Sequence, residues 1–271
     1  MAGHVNRQIR LAARPANLPR ESDFNLAEGP ILEPSEGEVL VRVIWLSLDP
    51  YQRGRMRATH PYATPMELGE VIVGGVVGKI VRSRTPAFTE GEVVEGPLGW
   101  QEYAVSDGNN LRKVDTSLGP LSTALGVLGM PGMTAYFGFL EVGRPRTGDT
   151  VVVSAASGAV GQVVGQISKI MGCRTVGIAG IPEKIDYIKH DLGFDAGINY
   201  KTENVNAELA EVCPLGVDVY FDNVGGPITD AVLDHINVGA RISICGSISQ
   251  YNLEEPEPGP RKMGLLVGKQ A

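Results

Sequence analysis

The sequence predicts an α/β protein with a β-rich first domain and a second domain built on a doubly wound parallel sheet. Residues 31–114 carry short β-branched runs separated by Gly and Pro, whereas residues 150–246 alternate between strand and helix patterns. A chain of 271 residues has room for two domains of ordinary size, each with its own core. We place the boundary so that the domains span 1–126 and 127–271.

Short strands with turn residues between them predict a small barrel or sandwich in the first domain. The run VLVRVIWLSL, residues 39–48, is apolar except for Arg42, and EVIVGGVVGKIVRS, residues 70–83, is β-branched and punctuated by Gly. The polar segment LDPYQRGRM, residues 48–56, follows the first run directly. It is either a solvated loop or a functional one, since loops serve both purposes.

The segment LGPLSTALGVLGMPGMTAYFGF, residues 118–139, is apolar and rich in small residues. Gly and Pro interrupt it too often for one continuous helix. It predicts a crossover from the first domain into the second, with a helix that begins near Met133. Ligand clefts tend to form at such junctions.

The second domain opens with TVVVSAASGAVGQVVGQISKIM, residues 150–171, which predicts a buried strand, a turn of small residues and a helix. The turn contains Ala156, Gly158 and Gly161, a variant of G-x-G-x-x-G with Ala in the first place. Gly158 would let the backbone approach a pyrophosphate, and Gly161 would let the helix pack close to the strand. The motif predicts dinucleotide binding at the N-terminus of this helix, the alternative being an ordinary glycine-rich turn.

Four more strand patterns and three helix patterns follow in alternation. The strands cover 175–179, 196–200, 217–222 and 241–246, and the helices cover 182–193, 203–212 and 227–236. Pro182 and Pro227 stand at first helical positions, which Pro favours because its missing N–H is not needed there. Alternation of this kind predicts a parallel sheet with right-handed crossovers.

The residues after the second strand of this domain bear on the choice of cofactor. An NAD site usually places Asp or Glu there to bind the adenosine ribose, and this chain has none. Gly180 would leave room for a bulky group, and Lys184 follows in the first helical turn, where a cation opposes the helix dipole. Tyr200 and Lys201 could close the same pocket. The sequence therefore predicts NADPH rather than NADH, although Glu183 argues against it and Lys184 could be a solvated surface lysine.

Composition excludes several classes of protein. A net charge of −7 and a pI near 5.2 disfavour a nucleic-acid or membrane partner, because such partners need a clustered basic surface. No apolar run predicts a signal peptide or a membrane span. The three cysteines form no C-x-x-C pair, which argues against a disulfide framework and favours the cytoplasm. They are Cys173, Cys213 and Cys245.

Seven motifs spread over nearly the whole chain carry a family resemblance. They are LSLDPYQRGRM, LGMPGMTAYFG, AASGAVGQVVGQ, EK at 183–184, INYKT, YFDNVGG and ICGSISQYN. As a set they resemble the zinc-free medium-chain dehydrogenases/reductases, in the branch of NADPH-dependent curcumin, prostaglandin and 2-alkenal reductases. The resemblance implies a GroES-like β-barrel domain followed by a Rossmann domain. It also implies NADPH-dependent reduction of the carbon–carbon double bond of small enones and enals, by hydride transfer to the β-carbon.

The resemblance also implies roles for individual residues. Lys184 and Tyr200 would hold the 2′-phosphate, with Gly158 under the pyrophosphate. The remaining cofactor contacts would be Met130, Thr134, Ala156, Gly161, Gly180, Asn223, Cys245 and Ser247. Tyr51 and Tyr251 would face the substrate, with Tyr251 the first candidate for a hydrogen bond near the reacting carbonyl. Simpler interpretations stay open, in which Cys245 is a small buried hydrophobe and Met130 belongs to the core.

No metal site is expected. Zinc-containing relatives carry Gly-His-Glu where this chain has Leu68, Gly69 and Glu70, and no cysteine precedes Cys173. Nor do the four histidines pair at ligand spacing; they are His4, His60, His190 and His235.

The second domain departs from the family in its strand count. The family fold has six parallel strands and the sequence predicts five here, so we expect a truncated chain whose fifth strand is an exposed edge. A family-type homodimer is then expected only for a full-length chain. Two alternatives to the enone reductase stay open at this point: a quinone reductase of the same superfamily and a non-catalytic NADPH-binding protein.

Overall fold

A computed structural model describes residues 5–59, 63–255, 257–259 and 262–271. The chain divides into two compact units, Met1–Gly129 and Met130–Ala271. The assignment of a substrate domain to 1–126 and a cofactor domain to 127–271 stays a prediction.

The first unit is built from antiparallel strands. They are β1 (Val5–Leu11), β2 (Phe24–Pro30), β3 (Val39–Leu46), β4 (Val76–Ser83), β5 (Val93–Gly96), β6 (Tyr103–Ser106) and β7 (Arg112–Lys113). β1 and β2 pair with each other, and the others form one sheet in the order β6-β3-β4-β5-β7. A short helix, α1 (Tyr51–Arg55), follows β3. The β-rich domain predicted from the sequence is confirmed.

Two small cores stabilise this unit. One core consists of Val39, Val41, Ile80 and Val94, which lie in three strands of the larger sheet and pack together. The second core lies under the β1–β2 hairpin and consists of Leu11, Met56, Met66 and Ile72. Backbone hydrogen bonds join the hairpin to the rest of the unit, since the N–H of Ile9 donates to the carbonyl of Trp100 at 2.9 Å.

The second unit contains a five-stranded parallel sheet. Its strands are β8 (Thr150–Ser154), β9 (Arg174–Ala179), β10 (Ala196–Asn199), β11 (Val217–Asp222) and β12 (Ile236–Ile244). They lie in the order β10-β9-β8-β11-β12, and every neighbouring pair is parallel. This is the predicted doubly wound sheet, in which the strand order reverses direction at β8.

Six helices accompany this sheet in the described part of the chain. They are α2 (Met130–Phe137), α3 (Gly161–Ile170), α4 (Pro182–Asp186), α5 (Val205–Val212), α6 (Gly226–Leu233) and α7 (Met263–Lys269). α2 continues as a π-helical segment, Gly138–Gly143, and α4 continues likewise as Tyr187–Asp191.

Alternating side chains of β8 explain why helices cover both faces of the sheet. All five residues of β8 are buried. Val152 packs with Tyr220 on one face, while Val151 and Val153 pack with Phe139 on the other. Successive side chains of a strand point to opposite faces, so an unbroken apolar run requires cover on both.

Several boundaries differ from those expected from the sequence, among them the starts of α2 and β12 and the end of α6, which is Leu233 rather than residue 236. α2 begins at Met130 rather than near Met133. β12 begins at Ile236 rather than at residue 241, because Ile236 pairs with Val217 before the register shifts. Gly239, with φ of +76°, interrupts the alternating pattern of β12. The first half of this strand therefore could not be recognised from sequence periodicity.

The packing of α3 on the loop after α4 leads to a stability prediction. A Cβ at Gly165 would overlap the ring of the buried residue Phe194. Gly165→Ala should therefore lower the free energy of unfolding by about 1–3 kcal/mol, despite the better helix propensity of Ala. Far-UV circular dichroism during denaturant unfolding measures this, because both tryptophans, Trp45 and Trp100, lie in the first unit.

Gln166→Ala is the matched control, since Gln166 is the next residue on α3 and is exposed. It should change the free energy of unfolding by less than about 0.5 kcal/mol. Equal stability of the two variants would mean that the Phe194 ring moves aside without cost.

Candidate functional site

A cleft of about 580 Å³ lies at the carboxyl ends of the strands of the second unit. Its lining comes from the segments that follow β8, β9, β10, β11 and β12, and includes Ser157, Gly158, Lys184, Tyr200, Gly225 and Ser249. The segments after β8 and β11 meet there, on the two sides of the point where the strand order reverses. Open α/β sheets bind their ligands in this crevice.

The turn after β8 presents backbone donors toward a ligand. Ala155 adopts a left-handed conformation with φ of +49°, and the N–H of Gly158 donates to its carbonyl at 2.9 Å. Within the described residues, the N–H groups of Ser157, Ala159 and Val160 make no hydrogen bond. Unpaired N–H groups just before a helix, together with the helix dipole, favour an anion.

Gly161 lets α3 approach this turn closely. A Cβ at Gly161 would overlap the carbonyl oxygen of Ala155 and lie 2.9 Å from the Cα of Ala156, whereas a Cβ at Gly158 would lie 3.1 Å from the same oxygen. The two glycines therefore differ in degree, since a Cβ at Gly161 would overlap several backbone atoms, whereas a Cβ at Gly158 would make one tight contact. Ala156, which occupies the first place of the motif, is completely buried.

Gly180 and Tyr200 meet at the other end of the cleft. A Cβ at Gly180 would lie 2.8 Å from Cε1 and 3.0 Å from the hydroxyl of Tyr200. Gly180 was expected to leave room for a bulky ligand group, but the Tyr200 ring lies over that position. Gly180 therefore accommodates a side chain of the protein itself.

Two lysines line the same end of the cleft. Lys184 and Lys201 are both exposed, and neither forms a salt bridge with any described residue. Glu183, which argued against NADPH, is not among the residues that line the cleft. This end of the cleft is therefore positive, without an internal carboxylate to neutralise it.

Asn223 lies at the end of β11, where its side chain joins two strands. Its Nδ2 donates to the carbonyl of Ser154 at 2.8 Å, and its backbone N–H donates to the hydroxyl of Ser154 at 2.9 Å. Asn223 thereby fixes the ends of β8 and β11 relative to each other.

Tyr251 folds back onto the segment that follows β12. Its hydroxyl accepts a hydrogen bond from the N–H of Ser247 at 3.2 Å, and a Cβ at Gly246 would lie 3.0 Å from that hydroxyl. Cys245 is exposed, so the simpler interpretation that it is a buried hydrophobe is wrong. The structure thus brings Ser247 and Tyr251 into contact.

Two further predicted residues lie on α2. Met130 is the first residue of this helix and is 48% exposed, so the simpler interpretation that it belongs to the core is wrong. Thr134 is half-buried, one turn further along.

Tyr51 belongs to the first unit, where it begins α1. Burial and the neighbouring Asp49 carboxylate raise the pKa of the Tyr51 hydroxyl. Gln52 and Arg53 are buried, and Arg53 donates to the carbonyls of Pro15 and Asn17 at 3.1 and 2.9 Å. The alternative of a solvated loop is therefore wrong for Gln52 and Arg53, which hold α1 against the unit.

No group of three or more His, Cys, Asp or Glu side chains that could hold a metal ion occurs within the described residues. His4 and His60 lie outside them. His235 contacts the side-chain oxygen of Asn206 at 3.2 Å, and His190 is exposed. Among the described helices, none combines the length and apolar character that crossing a bilayer requires.

Sequence reasoning missed part of the cleft lining after β11 and β12. Val224, Gly225 and Ser249 all line it, and none was singled out. Their position directly after parallel strands was the available signal, since ligand-binding residues of such sheets come from those loops.

Comparisons with known proteins agree with the fold and the cleft. Residues 7–114 match the family model described as the N-terminal domain of oxidoreductase, and residues 159–265 match the one described as zinc-binding dehydrogenase. The chain is 52% identical to the putative NADP-dependent oxidoreductase YfmJ of Bacillus subtilis, over 96% of this chain and 77% of that protein. It is 46% identical to the NADPH-dependent curcumin reductase of Escherichia coli, over 97% and 76%.

Among solved structures, CurA from Vibrio vulnificus in complex with NADPH aligns with a TM-score of 0.92 and 48% identity, over 97% of this chain and 78% of that one. The chain therefore belongs to the medium-chain dehydrogenase/reductase family. Within this family it falls in the branch of the NADP-dependent curcumin, 2-alkenal and prostaglandin reductases. The resemblance inferred from the sequence motifs is confirmed.

The unequal surroundings of the two glycines lead to a second prediction. Gly161→Ala should lower the free energy of unfolding by about 2 kcal/mol, because its methyl group meets fixed backbone. Gly158→Ala should cost less than about 1 kcal/mol, since Gly158 lies outside the left-handed region and faces a single oxygen. Denaturant titration followed by far-UV circular dichroism compares the two. Equal losses would show that α3 does not depend on this close approach.

Proposed function

We propose that the chain reduces the carbon–carbon double bond of α,β-unsaturated ketones and aldehydes with NADPH. The observation that carries the proposal is the cleft after the parallel strands. Among the described residues, the N–H groups at one end of it have no hydrogen-bond partner and the two lysines at the other end have no salt bridge. The names of the relatives support the same reaction class, because the 46% identical protein is an NADPH-dependent curcumin reductase and a 45% identical one is a 2-alkenal reductase.

The cleft suits the phosphates of a dinucleotide. The N–H groups of Ser157, Ala159 and Val160 and the N-terminus of the ten-residue helix α3 would receive the pyrophosphate, with Gly158 close to it. Ala156 and Gly161 shape this turn from inside.

Lys184 and Lys201 would bind the adenosine 2′-phosphate, beside the Tyr200 ring that Gly180 accommodates. A site for NAD would instead carry an acid at the end of β9 to bind the ribose, and this strand ends Ile178, Ala179. Two cations and no acid favour NADPH.

We assign the nicotinamide end to residues carried over from the family. Met130 and Thr134 on α2, and Asn223, Cys245 and Ser247 after β11 and β12, would contact the cofactor there. The bound cofactor supplies the hydride, and the protein supplies position and electrostatics.

Tyrosine hydroxyls are the proposed donors to the substrate oxygen. Hydride addition at the β-carbon of an enone places negative charge on that oxygen, which needs hydrogen-bond donors. Tyr251 is the first candidate, since its hydroxyl is held by the N–H of Ser247. Tyr51 is the second, because the resemblance to the family implies that it faces the substrate.

The proposal includes a cytoplasmic location, which the three free thiols favour. It also includes a homodimer of the family type, expected only for a full-length chain. Size-exclusion chromatography with light scattering on such a chain tests the dimer, and a monomeric mass at high concentration would contradict it.

The direct test follows NADPH oxidation with a simple enone such as 3-nonen-2-one. We expect turnover with the enone, and a rate lowered by at least about tenfold in Tyr251→Phe or Tyr51→Phe, because one donor to the developing charge is lost. Turnover of a benzoquinone but not of the enone would favour a quinone reductase. NADPH binding without oxidation by either acceptor would favour a non-catalytic protein, and unchanged turnover in both variants would refute the tyrosine assignment.

The positive end of the cleft leads to a test of cofactor choice. Lys184→Ala should raise the KM for NADPH by roughly three- to tenfold and leave the KM for NADH unchanged, because only NADPH carries the 2′-phosphate. Lys189→Ala is the matched control, as Lys189 is exposed and lies outside the cleft lining. Equal effects of Lys184→Ala on both cofactors would refute the 2′-phosphate assignment.

A further inference from the structure

The carboxylate of Asp222 is buried at the end of β11, and the proposed function assigns it no role. Asp222 is only 3% exposed, yet its carboxylate accepts five hydrogen bonds. On Oδ1 the donors are Tyr220 Oη at 2.9 Å, Ser154 Oγ at 3.2 Å and the N–H groups of Val224 and Gly225 at 2.9 Å each. On Oδ2 the donor is Thr229 Oγ1 at 2.6 Å.

These donors come from different segments. Ser154 ends β8, Val224 and Gly225 belong to the loop after β11, and Thr229 lies in α6. The backbone carbonyl of Asp222 also accepts from the N–H groups of Cys245 and Gly246, at 2.8 and 3.1 Å. One residue therefore connects the carboxyl ends of β8, β11 and β12.

All the donors to this carboxylate are neutral groups. In the described part of the chain, no lysine or arginine forms a salt bridge with Asp222. A buried charge without a cation is tolerated only when hydrogen bonds replace its hydration, and five donors meet that requirement. Burial and the nearby Asp222 carboxylate raise the pKa of the Tyr220 hydroxyl, so Tyr220 remains a donor.

The loop that Asp222 holds forms part of the cleft. Val224 and Gly225 line it, and Gly225 and Gly226 have φ of +69° and +60°. Two consecutive residues in this region make the loop intrinsically adaptable, because glycine reaches many other conformations at little cost. The hydrogen bonds from the N–H groups of Val224 and Gly225 to Asp222 stabilise one of these loop conformations.

We propose that Asp222 is a positioning residue, whose carboxylate fixes the Val224–Gly225 backbone as the side of the cleft and thereby sets the affinity for the dinucleotide. The inference rests on the proposed function, since it takes NADPH as the ligand of the cleft. A fixed loop lowers the ordering cost of binding, which affects affinity more than the rate of the bound enzyme.

Asp222→Asn tests this role with little change in size. The amide of Asn has one oxygen that accepts hydrogen bonds, and an NH2 group replaces the second carboxylate oxygen. The groups that donated to that second oxygen therefore lose their acceptor. We expect the Kd for NADPH, measured from the fluorescence of the cofactor, to rise at least about tenfold. The kcat at saturating NADPH should change less than about twofold. Asp230→Asn is the control, because it removes the same charge from α6 without touching the loop, and its Kd should match that of the unaltered chain.

Hydrogen exchange in the absence of cofactor separates a local role from general destabilisation. In Asp222→Asn the amides of Val224 and Gly225 should exchange faster, whereas the β8 and β9 ladder amides of Val152 and Val176 should keep their protection. Faster exchange throughout the unit, or unchanged Kd and unchanged exchange at the two loop amides, would overturn the proposal.

If Asp222→Asn does not fold, Tyr220→Phe is the second variant, because it removes one donor and keeps the carboxylate. It should raise the exchange rate of the Val224 and Gly225 amides, by a smaller factor than expected for Asp222→Asn. Unchanged exchange at these amides would overturn the proposal. If the unaltered chain binds no NADPH, the proposed function fails together with the affinity role of Asp222. Exchange at Val224 and Gly225 then still decides whether Asp222 holds the loop.

Discussion

The close approach of α3 to the turn after β8 is the constraint on which the cleft depends. Gly161 lies against the carbonyl of Ala155 where a Cβ would overlap it, and Ala155 itself adopts a left-handed conformation. The N–H groups of Ser157, Ala159 and Val160, which have no hydrogen-bond partner in the described part of the chain, lie just before a helix, where a negative charge is stabilised. The fully buried strand β8 holds the turn in place from below.

Electrostatics inside the cleft oppose the charge of the whole chain. The net charge is −7, yet Lys184 and Lys201 lack acidic partners among the described residues, while the buried carboxylate of Asp222 is satisfied by neutral donors. These donors take the place of water around the buried carboxylate and fix the loop, and Asp222 itself is not part of the cleft lining. Local arrangement, rather than net charge, decides what such a cleft attracts.

Much of the fold follows from patterns in the sequence, because periodicity and punctuation are local properties. The run 151–153 marks the central strand, Pro182 marks the start of α4, and both are where the structure has them. The start of β12 was missed because Gly239 breaks the pattern. Contacts between distant residues were also beyond sequence reasoning: the Tyr200 ring lies over Gly180, Arg53 bonds to carbonyls far away in sequence, and Asp222 joins three strand ends. None of these leaves a local signal.

The contact between Gly180 and Tyr200 has a consequence for how cofactor preference could change during evolution. An acid introduced at position 180 would need a Cβ, and that atom would lie within 3.0 Å of the Tyr200 ring. A smaller residue at position 200 alone would remove the ring without adding an acid. An acid at position 180 therefore requires the exposed Tyr200 ring to move aside or to be replaced by a smaller side chain, so the two positions are coupled. Such coupling makes the preference difficult to reverse one mutation at a time.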